Sequence, residues 1–203
     1  MPRRFALVAC AALLLAGSRP AATTPLSVPG IPNFHQVNER LYRGGQPGSG
    51  AWRELSRMGV RTVLDLRQRS EHSIAAESLA VCAAGMTYVN FPMNGFATPN
   101  AEQLQVPLGV LDGAGPVFVH CKQGRDRTGT VVAAYRISRE NWENQKALTE
   151  AYTLGMHWFE NGMRRFITGY RPQPVAVAST PAATAAVAEA VGAPADSGAT
   201  GSR

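Results

Sequence analysis

The sequence predicts an α/β fold in which a central, mostly parallel sheet is flanked by helices. Two observations carry this. Residues 61–66, 86–91 and 116–119 form short apolar runs with β-branched members, each bounded by turn residues, as buried strands are. Stretches with helical spacing lie between and after them, and strands that alternate with helices build a parallel sheet. In such a sheet the functional loops leave the carboxyl ends of the strands.

Each element follows from local chemistry. Turn residues cluster at 28–32 and 44–48, and between them 34–37 and 41–43 read as two short strands. Residues 51–58 form a helix closed by Gly59. After the strand 61–66, residues 70–84 read as one helix ending at Gly85. Its apolar face would carry Ile74, Leu79 and Cys82, with Glu71 and Glu77 toward water. The strand 86–91 stops at Pro92, and 100–111 is a helix that must accommodate Pro107. The strand 116–119 runs straight into His120 and Cys121. Three helices follow, over 128–139, 143–158 and 159–167, packed together by Trp142, Tyr152, Trp158 and Phe159.

The two ends differ from this middle. Residues 1–22 begin with Arg3 and Arg4 and continue as an apolar run too short to span a membrane comfortably. That is the pattern of a secretory signal peptide, so a periplasmic or secreted protein without a transmembrane helix in its mature form is expected. Leu7-Val8-Ala9-Cys10 also resembles a lipoprotein cleavage box, which leaves lipid anchoring open. Residues 171–203 are Ala, Pro, Thr, Ser and Gly with almost no large apolar side chain, and disorder is expected there. Residues 23–170 remain as one domain, expected to act as a monomer. Setting aside Arg3, Arg4 and Arg19 reduces the formal net charge of +6 to +3, too little to argue for nucleic acid by charge alone, and no nucleic-acid partner is expected. Cys10, Cys82 and Cys121 make neither a disulfide framework nor, with the histidines, a zinc spacing.

The chemistry concentrates in His120-Cys121-Lys122-Gln123-Gly124-Arg125-Asp126-Arg127-Thr128-Gly129, between a buried strand and a helix. Amides of a tight loop at a helix N-terminus form an anion site, and Gly124 lets the loop turn inward. The same field favours the thiolate of Cys121. Arg127 is suited to grip two oxygens of the anion, Thr128 to hydrogen-bond the sulfur, and His120 to fix the loop through its ring nitrogens.

These residues resemble the His-Cys-x5-Arg-Ser/Thr signature of the cysteine-based protein tyrosine and dual-specificity phosphatase superfamily. The Leu41-Tyr42-Arg43-Gly44-Gly45-Gln46-Pro47 opening is similar to that of small bacterial dual-specificity phosphatases, so the resemblance spans about 34–167. It implies a nucleophilic Cys121, phosphate binding by residues 122–127, a two-step hydrolysis, and no metal or cofactor. The superfamily usually places an acidic proton donor on a loop some thirty residues before the cysteine. Here that loop, 93–100, has Asn94, Thr98 and Asn100 but no Asp or Glu. Asp112 lies before the last strand, on the order of 15 Å from the thiolate. Asp126 remains: the Cys-x-x-Gly-x-Asp-Arg-Thr pattern resembles that of myotubularin-type lipid phosphatases, where this aspartate is assigned the acid role. Its alternative is to cap the helix that follows.

Lys122 and Arg125 match basic loop positions of lipid phosphatases of the phosphatase-and-tensin type, and are otherwise solvated rim charges. The expected substrate is thus a phosphorylated protein, or an inositol phosphate or phosphoinositide. Asp65, Arg67, Arg69, Glu71 and His72 share the sheet edge of Cys121. The two arginines would add to the anion field and His72 is a reserve proton donor, unless all form a salt-bridged turn. Arg43 of the opening motif is a further candidate to point into the site, with no geometric argument from sequence to place it. Cys82 would sit in the core, where some relatives suggest a reversible disulfide to Cys121. An inactive phosphate-binding module and a rhodanese-like or arsenate-reductase-like sulfur chemistry are the competing functions.

Overall fold

The computed structural model describes residues 24–25 and 27–172. The leader expected over 1–22 lies outside them, as does all but the start of the tail expected over 171–203. Six strands, β1 (Thr24–Pro25), β2 (His35–Asn38), β3 (Leu41–Gly44), β4 (Thr62–Asp65), β5 (Thr87–Asn90) and β6 (Val117–His120), form one sheet in the order β1-β2-β3-β6-β4-β5. The first three pair antiparallel, and β3, β6, β4 and β5 run parallel. Gly44 and Asp65 both stand opposite His120 in the register, and Asn90 stands opposite Asp65. The loops after β3, β4, β5 and β6 therefore leave one edge together.

Period-two alternation divides the core between the sheet's faces. Val63 and Phe118 pack on one side with Tyr42, Trp52, Leu55 and Val81, under α1 (Ala51–Arg57) and α2 (Ile74–Ala83). Leu64, Val117 and Val119 pack on the other, against α3 (Gln105–Leu111), α4 (Asp126–Arg139), α5 (Asn144–Thr153) and α6 (Asn161–Gly169). None of the described helices is long and apolar enough to cross a membrane.

Several expectations are corrected. The helix expected over 70–84 is two pieces, a 3-10 turn Arg69–Glu71 and α2, because Ser73 caps a new helix by accepting the Ala76 N–H. The face of α2 is also reversed: Glu77 is buried while Leu79 is 73% exposed. Glu77 can be buried because Arg67 meets it across the bend. Cys82 is exposed, not core. It precedes β5 at the amino edge of the sheet, whereas Cys121 follows β6 at the carboxyl edge, about 13 Å further along. That separation opposes a disulfide between them, and both are free thiols. Helix α3 starts at Gln105, so Pro107 falls in the first turn, where no intrahelical N–H is required. Helix α5 ends at Thr153 rather than 158, with Gly155 at φ +91°, and Trp158 (76% exposed) and Phe159 (49%) face outward instead of joining the helices.

Candidate active site

Cys121 emerges from β6 at the carboxyl edge and is buried at the floor of a cavity of about 430 Å³. The loop beyond it turns at Gly124, with φ +71°, where a Cβ would stand 2.3–2.5 Å from the Gly44 and Gly45 backbone. Only glycine fits that approach. The Gly124 carbonyl accepts hydrogen bonds from Arg43 Nη2 at 2.6 Å and Asn33 Nδ2 at 2.8 Å, and Gln46 N donates to the Lys122 carbonyl at 3.2 Å. The opening motif thus lies beneath the loop and holds its shape. Arg43 is fully buried, and desolvation lowers its pKa to about 10, although Glu150 and Cys121 favour its charge. Among the described residues the amides of Lys122, Gln123, Gly124 and Arg125 donate to no backbone carbonyl, so they are free for an anion.

One wall of the cavity is Arg127 and Glu71. Arg127 Nη1 and Nη2 lie 2.5 and 2.9 Å from the two Glu71 carboxylate oxygens, a bidentate pair. Arg127 holds the Glu71 carboxyl below the usual carboxylate range; burial opposes the Arg127 charge, but Glu71 and Cys121 raise its pKa overall. Behind this wall sits the salt-bridged turn. Arg67 bonds Asp65 at 3.0 Å and also meets Glu77, so it serves the turn rather than the cavity. Burial raises and Arg67 lowers the Asp65 pKa, and the lowering prevails. His72, expected as a reserve donor, is 2.8 Å from Asp65, beside Tyr88, whose hydroxyl burial and Asp65 keep protonated. His120 Nε2 lies 3.1 Å from Glu77, and its Nδ1 lies 3.4 Å from the Cys121 carbonyl. Ligand atoms of Asp65, His72 and Glu77 come within 4.8 Å of one another, but Arg67 already bridges the two carboxylates. The cation there is a guanidinium.

The other wall is Asp126, His157, Phe159 and Glu160. Helix α4 begins at Asp126 itself, two residues earlier than expected, and its N-cap makes no side-chain bond. The capping role is therefore corrected: the Asp126 carboxylate accepts the His157 backbone N–H at 2.8 Å and lies 2.9 Å from His157 Nδ1. Arg125 does not line the cavity; its side chain packs against Gly155, with Nη1 3.5 Å from His157 Nε2. Lys122 and Gln123 do line it, as do Asn94, Gly95 and Phe96 of the loop after β5. Asp112 pairs with Arg139 at 2.7 Å, at the far end of α4.

A family model described as DSP-PTPase phosphatase fused to NAD+ kinase matches residues 27–163, more than half of the chain. The chain belongs to this phosphatase family. It is 31% identical over 120 residues to the dual specificity protein phosphatase TpbA of Pseudomonas aeruginosa, an alignment covering 58% of this chain and 52% of that protein. The chain thus spans about half the length of the curated relative it matches. It is 27% identical over 142 residues to the inositol diphosphatase DSP5 of Arabidopsis thaliana, covering 66% of this chain and 67% of that protein. The crystal structure of P. aeruginosa TpbA superposes with a TM-score of 0.64 at 25% identity, over 75% of this chain and 92% of that one.

Within the phosphatase fold, sequence reasoning found the loop but not what holds it. Asn33, with φ +51°, and His157 carried no motif, and Arg43 and Glu71 no known partner. Their long-range bonds cross 31 to 121 residues of chain, which no local pattern encodes.

Proposed function

We propose that the chain is a metal-independent phosphatase that hydrolyses phosphomonoesters through a phosphocysteine at Cys121. The observation that carries this reading is the cradle: a buried cysteine under a loop whose amides are free, with the Arg127 guanidinium at its side. In the first step the thiolate attacks phosphorus as the bond to the leaving oxygen breaks. Arg127 and the amides hold the other oxygens, and Asp126 supplies a proton to the leaving oxygen. Water then attacks the phosphocysteine, Asp126 takes its proton, and sulfur departs. The Thr128 hydroxyl, buried and without a hydrogen-bond partner, is available to that sulfur.

The lining sets Glu71, Asp126 and Glu160 against Lys122 and Arg127, so the rim lacks the strong positive field that a polyphosphorylated ring would exploit. Phe96 and Phe159 offer flat apolar walls instead. This supports a phosphotyrosine-like aryl monoester as the preferred substrate, in keeping with the dual specificity relative, ahead of the inositol phosphates suggested by the inositol diphosphatase.

A second reading, a phosphate-binding module with little turnover, is favoured by two features: Arg127 is already engaged by Glu71, and the 93–100 loop brings no carboxylate. Phosphate release by the full chain, with a chelator present, decides between them. Turnover is expected on phosphotyrosine peptides above phosphoinositides and inositol phosphates, with a loss of at least about 1,000-fold in Cys121→Ser. Absence of turnover with phosphate or vanadate still bound would establish the second reading.

A further inference from the structure

Asp126 stands between two arginines in the chain, Arg125 and Arg127, and its carboxylate accepts two hydrogen bonds from His157, one from the backbone N–H and one at Nδ1. A carboxylate that accepts an imidazole N–H has a direct path for a proton to and from that ring. The one titratable side chain bonded to Asp126 among the described residues is His157. The imidazole is partly buried, with a side chain 30% exposed against 18% for Asp126, and its ring stacks on Phe159 with centroids 4.9 Å apart. Its orientation is therefore fixed.

We propose that His157 is the proton reservoir for Asp126, so that the acid of the reaction is a hydrogen-bonded imidazolium–carboxylate pair. The proposal rests on the phosphatase reading above. As the phosphorus–oxygen bond breaks, the leaving oxygen takes a proton from Asp126, and the proton on His157 Nδ1 moves to Asp126. That leaves a carboxylate again, beside a neutral imidazole protonated on Nε2. When water attacks the phosphocysteine, its proton returns through Asp126 to His157 Nδ1, and the pair is restored with no other reactant. His157 acts through Asp126 and is thus a positioning and relay residue, without contact to the substrate.

The charges around the ring suit this role. Asp126 faces Nδ1, and Glu160, at the start of α6, shares the same wall. Burial and the Asp126 charge raise the Glu160 pKa, while His157 favours its ionised form. On the far side of the ring Arg125 Nη1 lies 3.5 Å from Nε2. Lys122, Arg127 and Glu71 complete the charged lining of the cavity. On the opposite side, His72 and His120 are tied to Asp65 and Glu77 and line no part of it.

The test compares 4-nitrophenyl phosphate, whose leaving group needs little protonation, with phenyl phosphate, whose leaving group needs much. His157→Asn keeps a hydrogen-bond donor for Asp126 but has no proton to pass on; His157→Ala removes both. In His157→Asn the rate ratio between the two substrates should widen about 100-fold. The fall of wild-type kcat/KM on phenyl phosphate with rising pH should also flatten. Equal losses on both substrates with an unchanged pH profile would make His157 a packing residue and overturn the proposal, as would wild-type behaviour in both variants. Turnover lost in Cys121→Ser but unaffected by His157 changes removes the relay alone. Absence of wild-type turnover on either substrate removes the phosphatase reading and the relay with it.

Discussion

The two walls of the cavity are built from opposite materials. The Arg127–Glu71 wall is backed by a buried charge network in which Arg67 joins Asp65 and Glu77, Asp65 meets His72 and Tyr88, and His120 Nε2 lies 3.1 Å from Glu77. Its charges are fixed before any ligand arrives, which is what stabilising an anionic transition state requires. The Asp126–His157 wall is partly exposed, aromatic at its rim and hung on the α5–α6 connection. It contains the hydrogen-bonded carboxylate–imidazole pair of Asp126 and His157. In the proposed reaction labour is divided between them: a dry, salt-bridged side holds charge, and a wetter side moves protons and meets the organic part of a substrate.

The largest effect should come from breaking the fixed wall. Arg127→Lys keeps a charge but loses the fork that matches both Glu71 and a phosphoryl group, and kcat/KM should fall about 1,000-fold. A loss below tenfold in steady-state kinetics would show that the loop amides alone carry the anion.

Glu71→Gln sharpens the comparison at an intermediate level. Without its carboxylate partner Arg127 is less ordered but no longer competed for, so kcat should fall about tenfold while inhibition by inorganic phosphate tightens. The same variant has a pH signature. The Glu71 pKa is depressed in the fold, so its contribution to stability is present above the unfolded carboxylate pKa and is lost as pH falls through the folded one. Thermal melts of Glu71→Gln from neutral to acid pH should therefore decline less steeply than those of the wild type.

The smallest effect belongs to the mobile-proton wall's rim. Phe159→Ala removes the ring stacked on His157 and an apolar face of the cavity, yet the side chain is half exposed. The KM for an aryl phosphate should rise about three- to tenfold, with thermal stability within about 1 kcal/mol of wild type.

By itself the sequence determined the strand-helix order, the strand that delivers Cys121, and the loop from Cys121 to Thr128. All of these are written in contiguous residues, where apolar runs, glycine positions and a helix start act over a few positions. It also left two roles open for Asp126. Tertiary structure alone decided that Glu77 and not Leu79 faces inward, that Cys82 and Cys121 stand at opposite edges of the sheet, and that Asp126 meets His157 instead of capping its helix. The reason is physical: a buried charge is tolerable only where a partner from a distant segment satisfies it, and that partner is fixed by strand register and loop closure, not by neighbours in the chain. Arg67 did this for the buried Glu77, and the partly exposed Asp126 met His157 through the same kind of loop closure.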